Sequence, residues 1–399
     1  MVLILDILIT TMVAYLAAST IYLLILTFAY FITSEPSAIA DKKYNRFAIL
    51  VPAHNEEILI SRLCQSLLEI NYPKDLYEIF IIADNCTDET VEISLSFDVN
   101  VLVRKSKNHL GKGFALDYAL KNIQIEQFDA VLIVDADNIV DSMILNELNK
   151  SINHGEQAIQ CCNGVGNRSD SSFTELLYIS RIIGNYLYHH SKYKLGLSSY
   201  LMGNGICFTK KLLKDRGWTA FTAGEDWEYY AQLAGDGVKI GYSIGAKTFH
   251  QESRSLNQAT SQRLRWASGK FYVLKKYGLR LFWKGLRERN IQIIDASLPL
   301  IFPNYSLQIN MTILSLGICL IIPDTSLKSF FITIILLLIG CQVSLFIVGA
   351  YLAGNYYKIF KAVLFAPIFL TWKAIIDILS ITGIYKPKKW IRTKRHKPT

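Results

Sequence analysis

A mainly parallel α/β sheet domain held between membrane-crossing helices is the fold class this sequence predicts. Three observations predict it. Apolar segments long enough to span a bilayer lie near both ends of the chain. Between them, short apolar strands alternate with helical patterns, and polar residues gather where the strands stop. At 399 residues, 51% of them hydrophobic, the chain is too long for one small domain and rich in apolar residues for a soluble protein.

The terminal elements come first. From Val2 to Ile32 the only charged residue is Asp6. About 20 residues cross the hydrocarbon core, so residues 1–40 read as a retained transmembrane helix and linker. A secretory signal peptide fits less well: there is no basic leading region, the run is too long, and no small-residue cleavage site is evident. Ser306–Pro323 and Ser329–Ala353 are each long enough to span. Ile291–Pro303 and Phe365–Ile384 are interrupted by Asp295, Pro299, Pro303, Pro367, Lys373 and Asp377, and read as interfacial or re-entrant segments. The expected division is a central domain over 41–290, transmembrane and interfacial helices over 291–385, and a basic tail over 386–399.

The net charge of +9 does not point to nucleic acid. Lys42-Lys43, Lys284 to Arg289 and Lys386 to Lys397 flank the apolar segments, so membrane lipids are the expected partner. The positive-inside rule puts the central domain and the tail in the cytoplasm of an integral membrane protein, with two C-terminal crossings and four as the alternative. Seven Cys form no CxxC pair and read as free thiols, with neither disulfide nor zinc.

Within the central domain, Phe47 to Pro52 reads as a buried strand followed by the polar loop His54-Asn55-Glu56-Glu57. Glu56 to Glu69 has helical spacing. Tyr77 to Ala83 is a second strand, ending at Asp84-Asn85-Cys86-Thr87-Asp88, and Val99 to Val103 a third. Gly111-Lys112-Gly113 opens a helix, and Ala130 to Val134 is a fourth strand that stops at Asp135. Open α/β sheets place ligands at such strand ends.

The motifs carry the chemistry. Asp135-Ala136-Asp137 offers hard oxygen ligands to Mg2+ or Mn2+ bridging a diphosphate, against the plain reading of a solvated turn. Asp84 offers an acceptor to a nucleotide base, or simply caps a turn near Thr87. Lys112, at a helix start, is a phosphate contact without being part of a Walker A loop. In Gly224-Glu225-Asp226 a carboxylate is a general base or a helix cap. Gln262-Arg263-Leu264-Arg265-Trp266 reads as helical, with Gln262, Arg265 and Trp266 on one face. Arg263 points elsewhere and is expected to meet the membrane; the plain alternative is a basic interfacial helix. Trp390 to Arg395 is a juxtamembrane basic cluster or a flap over the diphosphate.

In this order and spacing the landmarks resemble the membrane-bound family 2 glycosyltransferases over about residues 45 to 395. Cellulose, hyaluronan, chitin and poly-N-acetylglucosamine synthases share a D, DxD, TED and QxxRW series; here it reads Asp84, Asp135-Ala136-Asp137, Gly224-Glu225-Asp226 and Gln262 to Trp266. The resemblance implies a GT-A fold, a UDP-sugar donor, a divalent metal, inversion at the anomeric carbon and a cytoplasmic active site. It implies that Asp84 and the Pro52, Asn55 and Glu57 loop hold uracil. Lys112 and Asp135 would hold the nucleotide, Asp135 and Asp137 the metal (Mn2+ or Mg2+), and Asp226, with Glu225 beside it, would be the catalytic base. Gln262, Arg265 and Trp266 would line the diphosphate and acceptor site, with Gly203, Asn204 and Gly205 at the acceptor terminus. Trp390, Thr393 and Arg395 match a gating segment.

Three departures stand out. Gly224 replaces a usual threonine, Gln251-Glu252-Ser253 stands where E-x-P is common, and the membrane region is small beside that of cellulose synthase. The expected function is processive synthesis of a β-linked polysaccharide from a UDP-sugar. The alternative is single-sugar transfer to a lipid acceptor, because ceramide glucosyltransferase resembles the same series. A non-catalytic export subunit is a third reading, but it would tolerate loss of the acids, which are all present. For a polymer, either the amphipathic segments or an accessory export subunit would complete the channel wall.

Overall fold

Strand β1 (Phe47–Ala53) is buried along its whole length, as a parallel strand covered on both faces must be. In the computed structural model, which describes residues 2–34, 43–322 and 327–384, it lies near the middle of an eight-stranded sheet. The other strands are β2 (Tyr77–Asp84), β3 (Asn100–Arg104), β4 (Ala130–Ile133), β5 (Asn138–Val140), β6 (Ala158–Val165), β7 (Ile206–Thr209) and β8 (Ile240–His250). Their order is β3-β2-β1-β4-β7-β6-β8-β5.

The four strands expected from the sequence form one parallel half, β1 pairing with β2 and β4, and β2 with β3. Their C-terminal ends therefore open on the same side, which brings together the loops after Ala53, Asp84 and Ile133. β7 runs antiparallel between β4 and β6, β6 and β8 are parallel, and β5 closes the far edge antiparallel to β8. Side chains alternate with period two. Ala48 and Leu50 join Ile82, Leu116, Phe208 and Tyr229 in one core. Phe47, Ile49 and Val51 join Leu63, Leu67, Leu132 and Leu148 in the other.

Three helices are long and apolar enough to cross a membrane: Leu5–Ile32, Lys328–Ala353 and Tyr356–Ile381. Ile291–Ile301 and Tyr305–Ile321 qualify only as a pair, bent by 67° at their break. The assignment of C-terminal spans is thereby corrected. The segment expected to cross alone from Ser306 forms only a 17-residue helix, capped by Asn304 just after Pro303. Phe365–Ile384, expected to be interfacial, belongs instead to a continuous 26-residue helix with Pro367 inside it. Its charges are absorbed internally: Lys373 donates to Asp377 one turn on, and Asp377 is fully buried.

The sheet domain is fastened to these helices. Arg168 donates to the carbonyls of Ala353 (2.8 Å) and Gly354 (2.9 Å), covering the C-terminal end of the Lys328–Ala353 helix. Asp295, in the bent pair, accepts from Tyr22 (2.7 Å) and pairs with the buried Lys192 (2.9 Å). At Gly349 the spanning helix meets Ile183 so closely that a Cβ would collide with its side chain, whereas Gly340 on the same helix has nothing near. Gly349→Val should therefore cost about 1–3 kcal/mol of stability and lower the thermal midpoint in detergent, while Gly340→Val should not. Equal midpoints for the two variants would show that the contact contributes nothing.

Candidate active site

The exit of β4 is held by a buried amide. Asn204 accepts from the Asp135 N–H (3.0 Å) and donates to Asn138 (2.9 Å) and Thr248 (2.9 Å), tying β4, β5 and β8 together. Asn204 is therefore occupied in holding the frame. Gly205 (φ +61°) is also internal, since a Cβ there would lie 2.9 Å from the Cys161 Cβ. Of the three residues expected at the acceptor terminus, Gly203 (φ +81°) is the one against the acids. A Cβ on it would lie 3.0 Å from Asp226 Oδ2.

Lys112 joins the separated motifs. Its ammonium donates to Asp135 Oδ1 (2.5 Å) and to the Gly203 carbonyl, and lies 3.8 Å from Glu225 Oε1. Burial opposes its charge, yet Asp135, Glu225 and Asp226 outweigh burial and hold its pKa above the ordinary value. Glu225 and Asp226 begin the Glu225–Gly235 helix, where the backbone favours anions. Asp226 Oδ1 accepts from the Trp227 N–H (2.8 Å). Burial, then the neighbouring Glu225, pushes the Asp226 pKa up to about 7. Burial likewise raises Glu225, against the pull of Lys112.

The helix Leu256–Val273, capped by Ser255, carries Gln262, Arg265 and Trp266 along the same cavity. The Gln262 Oε1 is buried with no hydrogen-bond partner among the described residues, an acceptor available to a ligand hydroxyl. Arg263 does not meet the membrane. It turns inward, donates to Glu252 Oε2 (2.8 Å) and stacks on Trp266 with its guanidinium carbon 4.6 Å from the ring centroid. Arg181 reaches the other Glu252 oxygen (3.3 Å). Glu252 is only 2% exposed. Burial would raise its pKa, but Arg263, His250 and Arg181 together pull it down to about 2.

Gly224, where threonine is usual, has a steric reason. A Cβ there would lie 3.0 Å from the Gly269 Cα, and one on Gly269 would lie 2.9 Å from the Gly224 Cα. Two glycines let the pentad helix touch the start of the acid-bearing helix.

The loop residues divide. Asp84 is buried and bonded to Arg104 (2.5 Å); burial raises its pKa against that guanidinium. Asn55 (φ +57°) accepts from the Thr87 N–H (2.7 Å), and Glu57 accepts from the Glu89 N–H (3.3 Å), so both clamp two loops together. From this loop Pro52, His54 and Glu56 line the cavity. Trp390, Thr393 and Arg395 lie outside the described residues.

His250 was not singled out from the sequence. It ends β8, its Nδ1 lies 3.6 Å from Asp137 Oδ1, and its Nε2 is buried without a hydrogen-bond partner among the described residues. Nothing near it in the chain marks it, because β8 meets β5 only in the fold. Among the described residues no cluster of three or more His, Cys, Asp or Glu is arranged to hold a metal alone. Asp135 and Asp137, one oxygen of each already engaged by Lys112 and Asn138, suit a hard cation that also takes oxygens from a diphosphate.

One cavity of about 1030 Å³ is lined by Lys112, Asp135, Asp137, Glu225, Asp226, His250 and the pentad residues Gln262, Arg263, Arg265 and Trp266, while Asn55, Glu57, Asp84, Asn204 and Glu252 lie outside its lining. It runs from Lys112, Asp135 and Asp226 past Trp266 and continues between the apolar helices, where Ile309, Phe346 and Phe369 line it.

The family described as "Glycosyltransferase like family 2" matches residues 45–269. The chain is 27% identical over 259 residues to "Probable glycosyltransferase YdaM" of Bacillus subtilis, covering 63% of this chain and 61% of that protein. It is 27% identical over 229 residues to the beta-monoglucosyldiacylglycerol synthase of Nostoc sp., covering 56% of this chain and 48% of that one. The match thus spans about half to three-fifths of the length of these curated relatives. Among solved structures, the mannosyltransferase PcManGT from Pyrobaculum calidifontis, in complex with GDP-Man and Mn2+, has a TM-score of 0.61 at 17% identity. That likeness covers 93% of this chain and 99% of that one, and it is a likeness of fold.

Glu252 gives a test of the frame. Its pKa lies below the ordinary carboxylate value, so the stability it contributes is present at neutral pH and is lost as pH falls from about 4.5 towards 2. Lowering from 4.5 to about 2 corresponds to roughly 3 kcal/mol. Glu252→Gln should lower the thermal midpoint at pH 7, and its difference from the native chain should shrink as the pH falls through that window. A difference independent of pH would refute the ion-pair account.

Proposed function

We propose, from the premise that the chain belongs to glycosyltransferase-like family 2, that it transfers one sugar from a nucleotide-sugar, a UDP-sugar by resemblance, to a hydroxyl of a membrane lipid. The transfer inverts the anomeric carbon. The observation that carries this reading is the continuity of the cavity: the acids at one end and the side chains of membrane-length helices at the other line the same space. A lipid acceptor fits such a space, with its headgroup towards Asp226 and its chains among Ile309, Phe346 and Phe369. A relative named for a monoglucosyl lipid supports it further. Single transfer is therefore preferred to processive polysaccharide synthesis, and only the family-wide part of the resemblance to polymer synthases is retained.

The chemistry follows from the side chains. Lys112 and Arg265 hold phosphate oxygens of the donor. Asp135 and Asp137, with His250 close by, would hold a divalent cation, which when bound would supply positive charge against the leaving group. Asp226 accepts the proton of the acceptor hydroxyl as that oxygen bonds to the anomeric carbon. The bond from this carbon to the diphosphate breaks on the opposite face, and the nucleoside diphosphate leaves with the electron pair. The Gln262 oxygen accepts from a sugar or headgroup hydroxyl, and Trp266 offers its face to a sugar ring. A base with a pKa near 7 is matched to neutral pH.

Four outcomes test this. Because Asp226 must be ionised, kcat/KM should fall about tenfold per pH unit below about 7. Glu225→Gln, which removes the like charge, should move that limb to lower pH. Asp226→Asn should reduce transfer by about two to four orders of magnitude with nucleotide binding retained; substantial turnover by this variant would remove Asp226 from the base role. Mass spectrometry of the lipid extract after incubation of membranes with UDP-hexoses should show a single sugar increment, whereas a ladder of increments would return the processive reading.

A further inference from the structure

Lys270 belongs to no motif and has no role in the chemistry above. It lies one helical turn beyond Trp266, continuing the face that carries Gln262 and Trp266. It lines the cavity, its ammonium 5.2 Å from the centroid of the Trp227 ring. Among the described residues it has no hydrogen bond and no carboxylate in ion-pair contact. Asp377, the acid that acts on it, is already engaged by Lys373. Burial, then Lys373, lowers the Lys270 pKa to about 8, so it remains mostly protonated at neutral pH.

Its surroundings strengthen the point. Arg181, Arg263, Lys270 and Lys373 all line this stretch of the cavity, and the carboxylates they share are Glu252 and Asp377. Two positive charges are left over in a partly dehydrated space. A partly buried charge without a carboxylate partner is held at some cost, and a ligand anion would lower that cost. The stretch joins two regions. Trp227 follows the base directly in the chain, and Lys373 projects from the Tyr356–Ile381 helix, which also supplies the apolar wall at Phe369. A lipid threaded through the cavity would have its headgroup here.

We propose that Lys270 forms an anion subsite for a phosphoryl group on the acceptor, so that the acceptor is a phosphate-bearing lipid with a free hydroxyl and not a neutral glycerolipid. This rests on the lipid-acceptor reading. It gives that reading a charge selectivity that the motif residues do not supply, since Lys112 and Arg265 serve the donor end. The same chemistry would also suit the donor diphosphate, and the two sources are separable by experiment.

The test uses the full chain in phosphatidylcholine vesicles doped with either phosphatidylglycerol or diacylglycerol, with labelled UDP-hexose as donor. Phosphatidylglycerol should accept sugar at least about tenfold faster than diacylglycerol. Lys270→Gln should raise the KM for phosphatidylglycerol about tenfold while shifting the donor KM less than about twofold, and Lys270→Arg should restore most of the affinity. A rise in the donor KM would reassign the ammonium to the diphosphate and overturn the proposal. Equal use of both lipids, or a variant indistinguishable from the native chain, would overturn it while leaving lipid transfer standing. Labelled polymer with no labelled lipid would instead overturn the lipid reading itself.

Discussion

The carboxylate of Glu252, closed in between Arg181 and Arg263, is the constraint on which the site depends. It joins the end of β8, the helix Ser172–Ile182 and the pentad helix at one buried point. Buried ion pairs are poor evidence of net stability, because removing both charges from water offsets most of their attraction. Their effect here is on geometry. Arg263 is turned to Glu252 and stacked on Trp266, and it lines the cavity beside Gln262, Arg265 and Trp266. The helix so fixed then meets Gly224 through Gly269, and the acid pair that follows Gly224 is set beside the pentad.

At the opposite wall a single ammonium balances several carboxylates. Lys112 holds Asp135 and lies beside Glu225, and the charge of Asp226 is felt there too. The acids thus exceed the cation that gathers them, and burial, then the like charge of Glu225, raises the Asp226 pKa. On the proposed reading such a site would take a divalent cation with a diphosphate, and Asp226 would serve as base near neutral pH. Farther along the cavity the balance reverses, with cations exceeding acids. One space with an acidic end, a basic middle and an apolar far end is arranged for a reactant that is itself polar at one end and apolar at the other.

Much of this was legible in the chain. β1, β2 and β4 were readable as buried, mostly apolar runs with polar residues at or just beyond their ends, and the partly exposed edge strand β3 as the short run Val101-Leu102-Val103. The antiparallel half was not. β5 has three residues and β7 four, and β6 carries Gln160, Cys161, Cys162 and Asn163, too little apolar pattern to announce a strand. Helical spacing set Gln262, Arg265 and Trp266 on one face but could not show that Glu252 folds back to meet Arg263, which lines the same cavity. The same limit hid His250 and the hydrogen bonds by which Asn204 ties β4, β5 and β8 together. At Phe365–Ile384 the charges misled because Lys373 and Asp377 cancel within one turn, a pairing that a residue-by-residue hydropathy does not register.

On the proposed reading, sugar transfer and the lipid acceptor share one cavity. The chain would be reconstituted in vesicles containing a lipid with a photoactivatable group on its acyl chain and irradiated, and the adducts mapped by mass spectrometry. The continuous cavity predicts adducts at the interior positions Ile309, Phe346 and Phe369, and competition by added acceptor lipid should diminish them. Adducts confined to the outward-facing Leu337, Ile347 and Leu364, unchanged by competitor, would contradict it.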